Sequence, residues 1–372
     1  MPVANSEIVK IVEDFAPLRL AEEWDNSGWQ LGDPCVQTDK VMLTLDMTAH
    51  VMEEAASCGA GLVISHHPMF FKGIKNIRID RPEGSLIAGL LKNDIAVYAA
   101  HTNLDSAAGG VNSVLAEKLE LTGVENLLPG VAEKMYKLTV FIPVSYIDQV
   151  RAAIAGAGAG WIGNYSDCAF QVKGVGTFRP LAGTNPFIGR TGELEKVEEF
   201  RLETIVPENR KKTVLAAMLK AHPYEEVAYD LYPLANQAPG YGLGRVGSLP
   251  EEVILSDFAK LVKSVLQIDT VRLGGAQGKP VRKVAVCGGA GASLWKQALS
   301  KGADVYVTGD IKYHEALDMT AAGLNFIDAG HFSTERIILP VLCNHLSKVC
   351  SENNFAVEIF LSQKQNDVFV YL

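Results

Sequence analysis

The segment Gly61-Leu62-Val63-Ile64-Ser65-His66-His67-Pro68 is an apolar run of strand length that ends in two adjacent histidines, and it indicates the class of fold. Similar apolar runs lie at 41–46 and 95–100, and helical patterns at 51–57 and 85–92 separate the three runs. Strands that alternate with helices are typical of βαβ units and of a largely parallel sheet. The sequence therefore predicts an α/β lobe near the N-terminus.

The same alternation returns near the C-terminus. Strand-like runs lie at 284–287, 304–307, 324–327 and 356–361, and the helical patterns between them include 313–322 and 333–349. We interpret the two regions as similar α/β lobes that form one body, with the run at 356–361 completing the second lobe.

A different pattern separates the lobes. This region has strand-like runs at 137–143, 199–206 and 226–232 and helical patterns at 146–155 and 211–222. A hairpin is suggested by two further short runs, 169–172 and 177–178. The order β-α-β-β-α-β is ferredoxin-like. We predict a first α/β lobe over 1–130, an inserted ferredoxin-like α+β domain over 131–238 and a second α/β lobe over 239–372.

Composition excludes several classes of protein. Of 372 residues, 48% are hydrophobic and 21% charged, which excludes intrinsic disorder. The net charge of −9 argues against a broad basic surface for nucleic acid. No apolar run approaches the ~20 residues of a membrane span. Residues 1–21 indicate an amphipathic helix rather than a signal peptide, and the six cysteines form no C-x-x-C pair. We expect a cytoplasmic protein that does not bind membranes or nucleic acid.

Residues able to bind metal follow the predicted strands. His66 and His67 end one strand, and His101 and Asp105 follow the next. Ligands of open parallel sheets bind at this end of the strands. In an extended chain two adjacent histidines cannot point the same way, so both meet one site only at a strand end or between two ions. The alternatives are a hydrogen-bonded histidine pair in a loop and a helix-capping role for Asp105.

His331 and Glu335 are four residues apart at a predicted helix start, so their side chains can share one face and bind a metal. The alternative is an exposed helical pair without a metal. The combined set of three imidazoles and two carboxylates suits zinc, iron, manganese, cobalt or nickel, and five ligands exceed what one catalytic zinc normally takes. Two divalent ions that share Asp105 and a water would use the whole set.

Other motifs are less decisive. Another strand end is followed by Asp310, Tyr313 and His314. Their alternative roles are to orient metal ligands, to contact substrate, or only to begin a helix. The glycine-rich segment 288–293 joins a strand to a helix, so its amides suit an anion, but it lacks the lysine of a Walker loop. The G-x-G-x-x-G match at 242–247 follows a linker, which argues against dinucleotide binding. For His222, within 221–226, we favour a structural role.

The motifs at 66–68, 101–105, 308–314 and 330–335 together resemble the dinuclear-metal family named after an NGG-interacting factor. Bacterial members are often labelled GTP cyclohydrolase 1 type 2 homologues. The resemblance covers about residues 1–130 and 240–372. It implies two α/β lobes with a two-metal site between them, a homohexameric ring and, in long members, an insert similar to PII and CutA proteins. Carried over by motif, the metal ligands are His66, His67, Asp105, His331 and Glu335.

The leading hypothesis is a metal-dependent hydrolase that acts on a nucleotide-like substrate, which the family label identifies as GTP. His101, Asp310 and His314 are the candidate catalytic residues, which would move protons. The alternative is a metal-stabilised hexameric regulatory or scaffold protein whose insert binds an effector and which has no catalytic turnover.

Overall fold

The computed structural model describes residues 2–130, 134–162, 165–237 and 241–370. The chain divides into two compact units, Met1–Val131 with Tyr241–Leu372, and Ala132–Gly240. We call the first unit the main body and the second the insert. The domain boundaries predicted at 130/131 and 238/239 fall at residues 131–133 and 238–240, which lie outside the described residues.

The strands in chain order are β1 Val3–Ala4, β2 Gly28–Leu31, β3 Gln37–Thr38, β4 Lys40–Thr44, β5 Leu62–Ser65, β6 Ala96–Ala99, β7 Thr122–Pro129, β8 Lys134–Pro143, β9 Ala169–Phe178, β10 Glu195–Pro207, β11 Tyr229–Gln237, β12 Gly242–Ile254, β13 Arg272–Gly274, β14 Pro280–Val286, β15 Val305–Thr308, β16 Asn325–Asp328 and β17 Glu358–Leu361.

The α-helices are α1 Asn5–Phe15, α2 Ala49–Cys58, α3 Pro82–Lys92, α4 Thr102–Ser106, α5 Val111–Lys118, α6 Ile147–Gly156, α7 Lys211–Ala221, α8 Leu255–Leu266, α9 Trp295–Ser300, α10 Tyr313–Ala321, α11 His331–Glu335 and α12 Ile338–Glu352. Short 3-10 turns lie at Leu18–Leu20, Val144–Tyr146, Glu208–Arg210 and Gly291–Leu294. The helix predicted over 1–21 is therefore too long: it ends at Phe15, two residues before Pro17, which has no amide hydrogen to continue it. None of the helices in the described ranges combines the length and apolar composition needed to cross a bilayer.

The main body contains the two predicted α/β lobes. One sheet has the order β17-β4-β5-β6-β2, with β2 antiparallel to its neighbour and the other strands parallel. The other has the order β13-β16-β15-β14-β12-β7, in which β14, β15 and β16 run parallel. A single apolar core includes side chains from both sheets, such as Leu43, Ile64, Val284 and Val305. The two lobes therefore form one body, as predicted.

The two sheets exchange strands in a way that the sequence did not predict. The last strand, β17, does not complete the second lobe but pairs in parallel with β4, with Glu358 opposite Lys40. In return, β7 leaves the first lobe and pairs with β12. The apolar pattern of a strand identifies the strand but not its partner. Here α12 contacts both β4 and β17, and this packing places β17 at the edge of the first sheet.

The insert has the predicted ferredoxin-like order. Its antiparallel sheet runs β11-β8-β10-β9, and α6 and α7 contribute to its apolar core beside Leu138, Val140 and Leu202. The predicted hairpin between 169–172 and 177–178 is wrong, because both segments belong to the continuous strand β9, which pairs with β10. Gly174 and Gly176 interrupt the apolar pattern as a turn would, although both lie within the β9–β10 pairing.

Candidate metal centre

His66 and His67 point into the same space because the chain bends directly after β5. The Ser65 hydroxyl donates a hydrogen bond to the carbonyl of His67 at 2.7 Å, which holds this bend. The two imidazole centroids lie 5.0 Å apart with an interplanar angle of 48°. A strand end therefore brings both histidines to one site, as the sequence analysis required.

Hydrogen bonds at Nδ1 fix the orientation of three of the imidazoles. His66 Nδ1 lies 2.8 Å from the Ala100 carbonyl oxygen, and His67 Nδ1 lies 2.8 Å from Asp46 Oδ1. His331 Nδ1 lies 2.7 Å from Asp310 Oδ2. Carbonyl and carboxylate oxygens only accept, so each Nδ1–H donates, and a neutral ring keeps its lone pair at Nε2. This is the arrangement by which proteins orient metal-binding histidines.

Glu335 lies between these imidazoles. Its Oε2 is 3.0 Å from His67 Nε2 and 3.1 Å from His331 Nε2, and its Oε1 is 3.7 Å from His66 Nε2. His331 and Glu335 are the first and last residues of α11, so their contact realises the predicted shared helix face. His66 Nε2 also lies 3.6 Å from Asp105 Oδ1.

The donor atoms form three overlapping groups, two of which share Glu335. These two are His67, His331 and Glu335, and His66, Asp105 and Glu335, with all donors of a group within 4.8 Å of one another. Two donors that bind one ion at about 2.0–2.2 Å lie roughly 3–4 Å apart, which matches these contacts. The shared carboxylate is Glu335, whereas the sequence analysis expected Asp105 to be shared.

Unpartnered atoms indicate that this donor set suits a cation. Among the described residues, six buried side-chain nitrogen or oxygen atoms lack a hydrogen-bond partner, and three of them are His66 Nε2, Asp105 Oδ1 and Glu335 Oε2. His67 Nε2 and His331 Nε2 face each other at 3.2 Å. Burying such atoms without partners costs free energy, and two facing lone pairs repel, so the cluster needs protons or metal ions to be stable.

The pKa values reflect this need for positive charge. Burial lowers the pKa of His67, but the neighbouring carboxylates of Asp46 and Glu335 outweigh burial and raise that pKa to about 10. Burial also lowers the pKa of His331, but the carboxylates of Glu335 and Asp310 outweigh burial and raise that pKa to about 9. Burial raises the pKa of Asp105. At Glu335 the neighbouring imidazoles outweigh burial and hold the pKa well below its usual range.

His101 belongs to the same cluster, within 4.8 Å of the donors of His66 and His67. Its Nδ1 donates to Asp25 Oδ1 at 2.8 Å, so its Nε2 is available to exchange a proton or bind an ion. Burial raises the pKa of Asp25, but hydrogen bonds from His101, Thr102 and Ser27 outweigh it and hold that pKa well below its usual range. Asp25 is therefore a permanent negative charge beside His101.

The other predicted residues differ in their position. Asp310 contacts the cluster through His331, whose Nδ1 lies 2.7 Å from Asp310 Oδ2, so its geometry suits the orienting role among those considered from the sequence. His314 is exposed on α10, with its ring beside Tyr313, and is not in the groups of possible metal ligands found among the described residues.

The glycine-rich segment 288–293 does not present its first amides to an anion. The Gly288 amide donates to Asn112 Oδ1 and the Gly289 amide to Thr334 Oγ1, each at 2.9 Å. Gly289 instead allows close packing, because a Cβ there would lie 2.0 Å from Glu335 Oε1. The segment therefore packs against the candidate ligand Glu335, and these two amides are not available to a phosphate.

Two functional residues were missed by the sequence analysis. Asp46 follows β4 and could have been found, because it ends a predicted strand as the other candidates do. Asp25 lies in an irregular segment before β2, 76 residues from its partner His101, and no local pattern marks it.

Comparison with known proteins identifies the family. A model described as Duf34/NIF3 (NGG1p interacting factor 3) matches residues 3–367. The chain belongs to this family. This NIF3-family chain is 47% identical over 370 residues to the GTP cyclohydrolase 1 type 2 homolog of Bacillus subtilis, covering 100% of this chain and 99% of the relative. The Listeria innocua homolog of the same name is 39% identical over 373 residues, covering 100% of both.

Solved structures agree with this assignment. The crystal structure of a Bacillus cereus protein related to NIF3 superposes with a TM-score of 0.92 at 44% identity and covers 100% of both chains. The resemblance seen in the motifs is thus confirmed as membership of the NIF3 family. The ligand set, the likeness of the insert to PII and CutA proteins and the homohexamer stay predictions.

Proposed function

We propose that this chain binds two divalent metal ions and hydrolyses a nucleotide-like substrate beside them. His67, His331 and Glu335 hold one ion, and His66, Asp105 and Glu335 hold the other. The metal is one of zinc, iron, manganese, cobalt or nickel, which all accept imidazole and carboxylate ligands. The observation that carries the proposal is the convergence of unpartnered Nε2 and carboxylate atoms on one buried space.

Ions held there would supply Lewis acidity, which would polarise the substrate and acidify water. His101 moves the proton, because its Nε2 faces the cluster while its Nδ1 donates to Asp25 and holds the ring in place. We assign Asp310 to the orientation of His331. The exposed His314 has no role in this scheme.

Two exposed aromatic rings support a substrate with a flat heteroaromatic ring. Trp24 and Phe71 have exposed fractions of 65% and 56%, and their ring centroids lie 6.0 and 5.8 Å from that of His101. Such faces stack on planar rings. Together with the name of the Bacillus subtilis relative, they make GTP the first substrate to test, through hydrolytic opening of the guanine imidazole ring.

The test uses the purified chain loaded in turn with each candidate metal and supplied with GTP or a phosphodiester, with products followed by mass spectrometry. We expect turnover by the unmodified chain and by Glu352→Gln, an exposed control on α12, and a loss of at least about 100-fold in Glu335→Gln. His101→Ala should retain the metal but lose about 100-fold in kcat. Absence of turnover by the metal-loaded chain would contradict the proposal.

A second candidate is a regulatory or scaffold protein without turnover, in which the ions stabilise a homohexamer. The observation that favours it is the insert, which has an apolar core and a cavity of its own. Chelation distinguishes the two functions: for the scaffold it dissociates the assembly, and for the enzyme it abolishes product formation.

A further inference from the structure

The insert contains a cavity of about 380 Å³ whose walls are largely aromatic and aliphatic. Phe141, Phe178, Phe187, Ile188 and Tyr224 contribute to these walls. The volume lies within the range of small-molecule sites, roughly 300–1,000 Å³. None of these residues belongs to the metal centre, so the cavity requires a separate explanation.

Three rings form an aromatic wall. The centroid of Tyr224 lies 5.9 Å from that of Phe178 and 6.3 Å from that of Phe187. Phe187 in turn meets Tyr146 edge-on at 5.6 Å. Aromatic faces are electron-rich, and several of them around one space attract an organic cation.

A buried carboxylate gives the cavity a negative charge. Glu199 is only 8% exposed, and its Oε1 accepts a hydrogen bond from the Tyr224 hydroxyl at 3.0 Å. Its Oε2 occupies the space left by Gly176, where a Cβ would lie 2.1 Å away. Glu225 and Glu226 also line the cavity, whereas no lysine or arginine is among its described lining residues. A charge this deeply buried is costly unless a cation accompanies it.

His222 does not supply that cation. Its Nε2–H donates to the Phe141 carbonyl at 3.0 Å, and its Nδ1 accepts from the Tyr224 amide at 3.1 Å. Both nitrogens are thereby used by the neutral form, and burial lowers the pKa of the ring. His222 therefore has the structural role favoured from the sequence, since it positions Tyr224.

We propose that the insert binds a small organic cation, an alkylammonium or quaternary ammonium group on a compact apolar body. Glu199 provides the counter-charge, and Phe178, Phe187 and Tyr224 provide the aromatic faces. The site is independent of the metal centre and goes beyond the hydrolytic function proposed above, so either proposal can fail without the other.

The first test compares choline with 3,3-dimethyl-1-butanol, a neutral analogue in which carbon replaces the charged nitrogen. Binding of each to the full chain is measured by isothermal titration calorimetry. We expect choline to bind at least about tenfold more tightly than the alcohol, because only the cation gains from the aromatic faces and from Glu199. Equal affinities, or no choline binding at millimolar concentration, would overturn the proposal.

The second test changes the carboxylate. Glu199→Gln should weaken choline binding about tenfold and leave the affinity for the alcohol unchanged. Glu198→Gln is the matched control, because Glu198 is the preceding residue on β10 and its exposed side chain pairs with Lys173 at 2.8 Å. Choline affinity that is the same in both variants would refute the role of Glu199. If Glu199→Gln does not fold, the comparison of choline with the alcohol still decides the proposal on the unmodified chain.

Discussion

Each imidazole of the candidate metal centre is oriented by an oxygen atom behind it. The Ala100 carbonyl holds His66, Asp46 holds His67, Asp310 holds His331 and Asp25 holds His101. A fixed ring presents Nε2 without a further loss of side-chain entropy when an ion binds. The orienting residues should therefore matter for metal affinity although they do not contact the metal.

Asp310→Asn tests this effect at one residue. The substitution replaces a charged acceptor by a neutral amide, which weakens the hydrogen bond that fixes the His331 ring, so we expect metal affinity to fall by about 10–100-fold. Asp318→Asn, at an exposed position on α10, should leave the affinity unchanged. Competition with a chromophoric chelator measures both variants. Equal affinities in the two would show that Asp310 does not orient the site.

The raised pKa values of His67 and His331 predict a pH dependence of metal binding. With pKa values of about 10 and about 9, both rings carry a second proton, on Nε2, in the metal-free protein at pH 7. Metal binding must displace the protons, so affinity should rise as pH increases from 7 towards 9. Calorimetry in two buffers with different ionisation enthalpies measures the released protons. Binding without proton release would contradict these protonation states.

The loops after the parallel strands carry the candidate ligands, and close packing between these loops sets the position of Glu335. Gly289, after β14, has a φ of +63° and leaves room for the Glu335 carboxylate. Gly302 has a similar φ of +72°, but a Cβ there would meet no atom within 4 Å. Both glycines therefore have a positive φ, and they differ in whether a neighbouring side chain would clash with an added Cβ.

Gly289→Ala and Gly302→Ala separate these two effects. Both should lose about 1–2 kcal/mol in the free energy of unfolding, because alanine disfavours positive φ. Only Gly289→Ala should also lose metal binding, since its Cβ displaces Glu335. Chemical denaturation and metal analysis of the purified variants provide the measurements. Retention of the full metal content by Gly289→Ala would show that the carboxylate does not need this space.

Sequence patterns predicted the secondary-structure elements, and the strand ends that carry the candidate metal ligands, better than the connections between distant elements. The strands before His66, His101 and His331 were recognisable because each is a short apolar run, and strand ends in an open sheet converge. The pairing of β17 with β4 was not predictable, since residues 356–361 would suit the edge of either sheet. Asp25 was missed because its contact with His101 depends on the folded chain rather than on local periodicity.

At the scale of the whole molecule, the predicted ligands all lie in the main body. The insert is connected to the main body at the ends of two paired strands, β7 and β12. There Pro129 lies opposite Gly242, and the Gly130 amide donates to the Tyr241 carbonyl at 2.8 Å. Two such neighbouring ends can be joined by a short hairpin turn. The main body should therefore assemble its metal site without the insert.

Replacement of residues 131–240 by an Asn-Gly turn tests this independence. We expect the shortened chain to fold and to bind the same number of metal ions per chain, because His66, His67, Asp105, His331 and Glu335 are all retained. Circular dichroism and elemental analysis give the two readouts. A folded variant that has lost its metal would show that the insert takes part in the site.

If two metal ions share Glu335, anomalous X-ray diffraction from crystals of the metal-loaded protein will locate both of them. We expect two anomalous peaks per chain, one beside His67 and His331 and the other beside His66 and Asp105, and neither peak in Glu335→Gln. A single peak, or peaks away from these residues, would contradict the account.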